Sequence, residues 1–203
     1  MSILDKVVAA VTPPESDEAR AEARAKARSA SAPGDWLSLI IDHHERIEDA
    51  VAKVKAASGA SERRSAQKWL GVILTGHSIA EESVIYPALM TGGEKGHAQM
   101  GYSEQEAVKV QMAELEKMDP ESQDYLDKLE HIRGALAHHV YEEEGTWYPE
   151  LKDSVSGEDQ SLLTQRYREE FDRYVGKDTG PATEADSPPF IPPVRGSDPV
   201  RHV

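Results

Sequence analysis

An all-α protein folded as an up-down-up-down four-helix bundle is what this sequence predicts, and three observations lead there. Four long segments repeat apolar residues at the helical period. Short breakers rich in Gly, Pro or Ser separate them, and the apolar-polar alternation of a strand is absent. The 203 residues suffice for one domain with a real core plus tails. We expect a helical arm over 1–34, the bundle over 35–175, and a disordered Pro-rich tail over 176–203.

In the arm, "SILDKVVAAV" has the pattern of a short amphipathic helix, which Pro13-Pro14 ends. "SDEARAEARAKARSA" follows; it is Ala-rich and helix-prone but has almost no bulky apolar side chain, which predicts a solvated helix packed loosely on the bundle. The first bundle segment starts at an N-capping Asp35 and puts Leu37, Ile40, Ile41, His44, Ile47, Val51 and Val54 on one stripe. The second opens at Ser61 and carries Leu70, Ile73, Leu74, His77, Glu81 and Val84, with Pro87 expected to limit it. A third runs from about Gly96 to Met118 with Val108, Met112 and Leu115 inward. The fourth keeps Leu129, Ile132, Leu136, His139, Glu143 and Trp147 in phase. "SLLTQRYREEFDRY" adds a closing helix, and the tail offers Phe190 and Ile191 for docking.

The charge of −14, with no Lys/Arg block, makes nucleic acid and anionic membrane poor partners. There is no cysteine, so disulfides, thiolate metal sites and Cys nucleophiles are excluded, and a reducing cytoplasm is the expected location. The N-terminus lacks an early positive charge and a convincing cleavage site, and no apolar stretch reaches bilayer length.

The chemistry lies in a duplication. "GHSIAEESVIYPAL" and "HHVYEEEGTWYPEL" align without a gap, matching His77, Glu81, Glu82, Tyr86, Pro87 and Leu89 to His139, Glu143, Glu144, Tyr148, Pro149 and Leu151. Positions i and i+4 of a helix lie on one face, so His77 projects with Glu81 and His139 with Glu143. Both pairs fall on the apolar stripe, where an isolated carboxylate would cost several kcal/mol, roughly, unless compensated. A cation compensates, and mixed imidazole and carboxylate donors suit iron, manganese or zinc. The plainer readings are that His44 is a hydrogen-bonded core residue, that Glu82, Glu142 and Glu144 are a solvated face, and that both Tyr-Pro pairs are helix stops. None of these explains why His, Glu and Tyr-Pro repeat together.

With "DHHERI" added, these segments resemble the hemerythrin-like proteins, the HHE cation-binding domain family, over about residues 35 to 152. The resemblance implies a bundle around two non-haem irons bridged by carboxylates and an oxo or hydroxo group. Carried over by position, His44, His77, Glu81, His139 and Glu143 would be ligands, with His43 competing against His44. The third helix departs from the family: Gln105 stands where a His is expected. His97, two turns earlier, and Glu104 are the substitutes, with Tyr102 between them as a further oxygen donor. His131 and His138 are expected on the helix surface or behind the ligands. Two iron ions, a small diatomic or peroxide ligand and a redox partner follow from the resemblance. The function expected is binding, sensing or turnover of O2, peroxide or NO; the alternative is an iron store or metal-binding module without turnover.

Overall fold

A computed structural model describes residues 15–176. The expected helix near the N-terminus and the Pro-rich tail with Phe190 and Ile191 lie outside the described residues. Within them the chain is helical, and no strand occurs among the described residues. Helix α1 spans Asp17–Ala30 and α2 spans Trp36–Ala56. Helix α3, Ala60–Ala80, passes through a π-helical turn, Glu81–Ile85, into α4, Tyr86–Gly92. Helix α5 covers Lys95–Leu115. Helix α6, Gln123–Glu142, passes through a second π turn, Glu143–Trp147, into α7, Tyr148–Ser154. Helix α8 covers Gly157–Val175.

Local chemistry sets these boundaries. The side chains of Ser16, Asp35, Ser122 and Ser156 each accept a hydrogen bond from a backbone N–H three residues on, which satisfies a donor left over at the helix start. At the second segment the cap is Gly59 rather than Ser61, without a side-chain bond. Gly93 ends α4 in the left-handed conformation, φ 104°, which glycine adopts without the Cβ penalty.

Neither Tyr-Pro pair stops its helix. Pro87 and Pro149 lack an N–H, and in an α-helix their rings would meet the carbonyls of Ser83 and Gly145. The wider π turn accommodates both, with Tyr86 N–H donating to the Glu81 carbonyl and Tyr148 N–H to that of Glu143.

Two apolar clusters fill the interior. One gathers Trp36, Ile40, Ile41, Ile85, Leu89, Trp147, Leu151 and Phe171. The other gathers Ile47, Val51, Leu70, Ile73, Leu74, Val108, Met112, Ile132 and Leu136. On each of four helices a buried polar segment falls between them: His43 and His44 on α2, His77 and Glu81 on α3 and its π turn, Gln105 on α5, His139 and Glu143 on α6 and its π turn. The polar residues therefore form one layer across the bundle, sealed at both ends.

The flanking helices are integral. Helix α8 packs along α3 and α2. Gly76 allows that approach, since a Cβ there would stand 2.5 Å from Val175 Cγ2. Helix α1 is docked rather than loose: Ala23 and Ala27 are buried, and the helix lies against the second π turn and α2.

Candidate metal centre

Three imidazoles converge on two carboxylates, and each imidazole is anchored from behind. His44 donates through Nδ1 to Glu144 Oε1 at 2.9 Å, and His139 through Nδ1 to Glu104 Oε2 at 2.8 Å. His77 Nδ1 meets the Tyr167 hydroxyl at 3.2 Å, and that hydroxyl also meets His43 Nδ1 at 2.9 Å. With Nδ1 engaged, each ring turns Nε2 inward: His44 lies 3.3 Å from Glu143 Oε2, His77 3.1 Å from Glu81 Oε2, and His139 3.3 Å from Glu143 Oε1. An imidazole fixed in this way, one nitrogen held by a carboxylate or hydroxyl, is how proteins orient histidine for a metal ion.

Ligand atoms from His44, His77, Glu81 and Glu143 all lie within 4.8 Å of one another, and all four residues are buried. His44 Nε2 and Glu143 Oε2 are buried and have no hydrogen-bond partner. Two inward-facing donor atoms lacking a partner in a dry interior are costly, and a cation between them would satisfy both, so the donor set fits a metal.

The electrostatics point the same way. Burial would lower the basicity of His44, but the facing carboxylates of Glu143 and Glu144 outweigh it and push the group up to about 10. His139 is likewise held up to about 9, against burial, by the charge of Glu143, the bond to Glu104 and the charge of Glu81. Burial raises Glu81, yet His77, His44 and His139 hold its carboxyl below the usual carboxylate range. In the protein alone, protons on imidazole supply the positive charge that two buried carboxylates demand. His43 behaves oppositely: burial first, then the neighbouring charges of His77 and Arg46, push it down to about 2. A neutral His43 accepts from Tyr167, which leaves that oxygen free to accept from His77.

His44, His77, Glu81, His139 and Glu143, read from the sequence as one set, share this layer. His44, not His43, faces the carboxylates. His97 does not reach it. A displacement of eight residues moves a side chain about 12 Å along a helix, and the His97 ring stacks on Trp147, centroids 5.3 Å apart, beside Glu94 and Glu150 at the surface. Glu104 reaches the layer only through His139 Nδ1. Tyr102 donates to the Glu82 carbonyl instead. His138, half-buried, bonds Glu15 at 2.8 Å.

Several residues that the sequence singles out take roles its patterning did not assign. Gln105 is buried and donates to Glu81 Oε2 at 2.6 Å. Tyr86 and Tyr148, both fully buried, direct their hydroxyls into the layer: Tyr148 donates to Glu81 Oε1 at 2.6 Å and also contacts Glu143 Oε1, and Tyr86 donates to Glu143 Oε1 at 3.0 Å. In an α-helix residue i+5 is rotated about 140° from residue i; the π turn brings it back over the glutamate. The repeated Glu-to-Tyr spacing of five, followed by Pro, was the signal. Glu144, expected on a solvated face, is 1% exposed and accepts from Arg24 Nε at 3.1 and 3.0 Å. Arg24 also bonds Glu48, so the arm clamps the far side of His44. A cavity of about 610 Å³ between α1, α2 and α6, walled by Ile47, Val51, Leu136 and Val140, has His44 and Glu144 on its lining.

The hemerythrin HHE cation binding domain, compared as a family, matches residues 37–151. The chain belongs to that family. This hemerythrin-type chain is also 28% identical over 108 residues to a protein described as a DNA nickase, from Nostoc sp. strain PCC 7120. That match covers 52% of this chain and 30% of the relative, so the chain spans less than a third of that protein's length. No solved structure matches it. The hemerythrin match ends before α8 and begins after α1, so Tyr167 and Arg24 are brought to the layer by segments outside it.

Proposed function

We propose that this chain is a non-haem di-iron protein of hemerythrin type that reacts with peroxide, O2 or nitric oxide. The observation that carries this reading is the set of three anchored imidazoles whose Nε2 atoms face two buried carboxylates. His44, His77, Glu81 and Glu143 would hold one ion; His139, with Glu143 and Glu81, would hold a second. Bound iron would supply a redox couple and a coordination position for a small ligand. The chain's own residues keep the layer dry and orient it. Ile47, Leu74 and Trp147, all buried, exclude water, and Tyr86, Tyr148 and Gln105 donate hydrogen bonds to the carboxylates.

The donor set ranks the ligands. Gln105 replaces an imidazole, and two phenols crowd the carboxylates, so the layer is richer in oxygen than one built mainly of histidine. Hard oxygen donors favour ferric iron, which supports peroxide turnover ahead of reversible O2 carriage. We further infer that α2, α3, α5 and α6 run up-down-up-down. The Trp36 cluster precedes the polar layer along α2 and α5 and follows it along α3 and α6, as alternating directions require. A protein with no cysteine, and with no described helix long and apolar enough to cross a membrane, suits the cytoplasm, where a reductase would supply electrons. Action on DNA, which the relative's description names, is no part of this reading, because a net charge of −14 opposes approach to phosphate.

The test begins with iron loading under anaerobic conditions. We expect about two irons per chain, lost in His77→Ala and His139→Ala, and peroxide consumption well above the buffer rate. Full iron in both variants would refute the ligand assignment. Iron that neither consumes peroxide nor binds O2 or NO would identify a store instead.

A further inference from the structure

We propose that Tyr86 is itself a metal ligand, its phenol oxygen binding a ferric ion on the His139 side of the layer. This rests on the iron reading above and assigns a donor to the position where the third helix supplies no histidine. On that side His139 is the one imidazole facing Glu143 Oε1, and Gln105 is committed through its amide to Glu81 Oε2 at 2.6 Å.

The Tyr86 oxygen lies among ligand atoms on several sides. It is 3.3 Å from His139 Nε2, 3.0 Å from Glu143 Oε1 and 3.5 Å from Glu81 Oε2. Donors bound about 2.0–2.1 Å from one ion at right angles stand about 3 Å apart, so atoms now joined by hydrogen bonds at these separations could share an ion with little movement. Tyr148 differs. Its hydroxyl bonds the carboxylates at Glu81 Oε1 and Glu143 Oε1, which is the position of a hydrogen-bond donor. The repeat supplies two tyrosines, and the tertiary surroundings separate their roles.

The fold reserves the position. A Cβ on Gly101 of α5 would stand 2.6 Å from Tyr86 Cζ and 2.9 Å from its oxygen, so only glycine leaves room for the head of the ring there. The Tyr102 ring meets the Tyr86 ring edge-on with centroids 5.0 Å apart, which fixes its tilt. Coordination replaces the phenolic O–H bond with an oxygen–iron bond and releases the proton to solvent, as metal binding does at any protonated donor.

The experiment uses the full chain loaded with iron and oxidised in air, with Tyr86→Phe, Tyr148→Phe and Gly101→Ala alongside. Iron per chain is measured with a chelator, and the visible spectrum with resonance Raman inside any band. We expect a tyrosinate-to-ferric charge-transfer band with tyrosine ring modes. The band should be lost in Tyr86→Phe, kept in Tyr148→Phe, and shifted or weakened in Gly101→Ala, where the ring is displaced but no donor is removed. Circular dichroism confirms that Tyr86→Phe, which loses a single oxygen, keeps its helices; should it not fold, Gly101→Ala carries the test. Iron-loaded wild-type protein without tyrosine ring modes overturns the proposal and leaves the iron reading standing, as does a band that disappears with Tyr148 instead. A wild-type protein that binds no iron overturns both.

Discussion

Glu82 and Glu144 occupy equivalent positions in the sequence repeat but opposite physical situations, which makes a sharp comparison. Glu82 is 23% exposed and pairs with Lys109, itself 41% exposed. Glu144 is 1% exposed and accepts from both Arg24 and His44. An exposed ion pair contributes about 0–1 kcal/mol, so Glu82→Ala should change little. Removing the carboxylate of Glu144 strands the buried His44 Nδ1 and takes one partner from Arg24, a loss that costs roughly 3–5 kcal/mol where both partners are buried. Arg24 is 24% exposed and retains Glu48, so we place Glu144→Ala at about 3 kcal/mol. At about 2–4 °C per kcal/mol for a domain of this size, the melting temperature should fall by about 6–12 °C, against at most about 4 °C for Glu82→Ala. Metal affinity should drop about 10- to 100-fold in Glu144→Ala alone, since the anchor of His44 is lost. Thermal melts, metal titration and a double-mutant cycle with Arg24→Ala read these quantities. If the two variants melt alike and bind metal alike, the clamp from the arm does not form and the docking of α1 described above is wrong.

Three further outcomes follow from the structure. In the metal-free protein His44 and His139 titrate near 10 and 9, above the unfolded value of about 6.5. Their stabilising contribution is therefore complete below about 6.5 and is lost as pH rises through 9 to 10. Because metal must displace those protons from rings that also face Glu81, Glu104, Glu143 and Glu144, affinity should climb from neutrality towards pH 9 to 10 and then level. Proton release on adding ferrous ion, followed with an indicator dye, checks this; affinity independent of pH would contradict it. Gly76→Ala should force α8 outward, since its Cβ would meet Val175 Cγ2 at 2.5 Å, costing about 1–3 kcal/mol in a thermal melt; an unchanged melting temperature would show that α8 yields freely.

Much of the architecture was legible because it is local. The apolar stripes of α2, α3, α5 and α6 all proved buried, and Asp35 caps where its residue type suggested. His44 was separable from His43 by phase, because only one of two adjacent residues on a helix can face the axis. The Tyr-Pro pairs were misread for a physical reason: proline is a breaker of α-helix, and a π turn is the exception in which the chain passes through it. His97 lies away from the layer because face alone does not fix height along a helix, whereas Glu104 stands at the right height but meets His139 from behind, since it and Gln105 are adjacent and face different ways.

The amino-acid order by itself determined the helices, the apolar faces and the doubled His-and-Glu device, since each depends on contacts within one or two turns. Only the tertiary structure decided what stands behind each imidazole. Arg24, Glu104, Glu144 and Tyr167 are 35 to 120 residues from the groups they hold. No short-range periodicity carries that information. It is set by how whole helices pack, and a buried charge then takes whichever partner the packing brings to it.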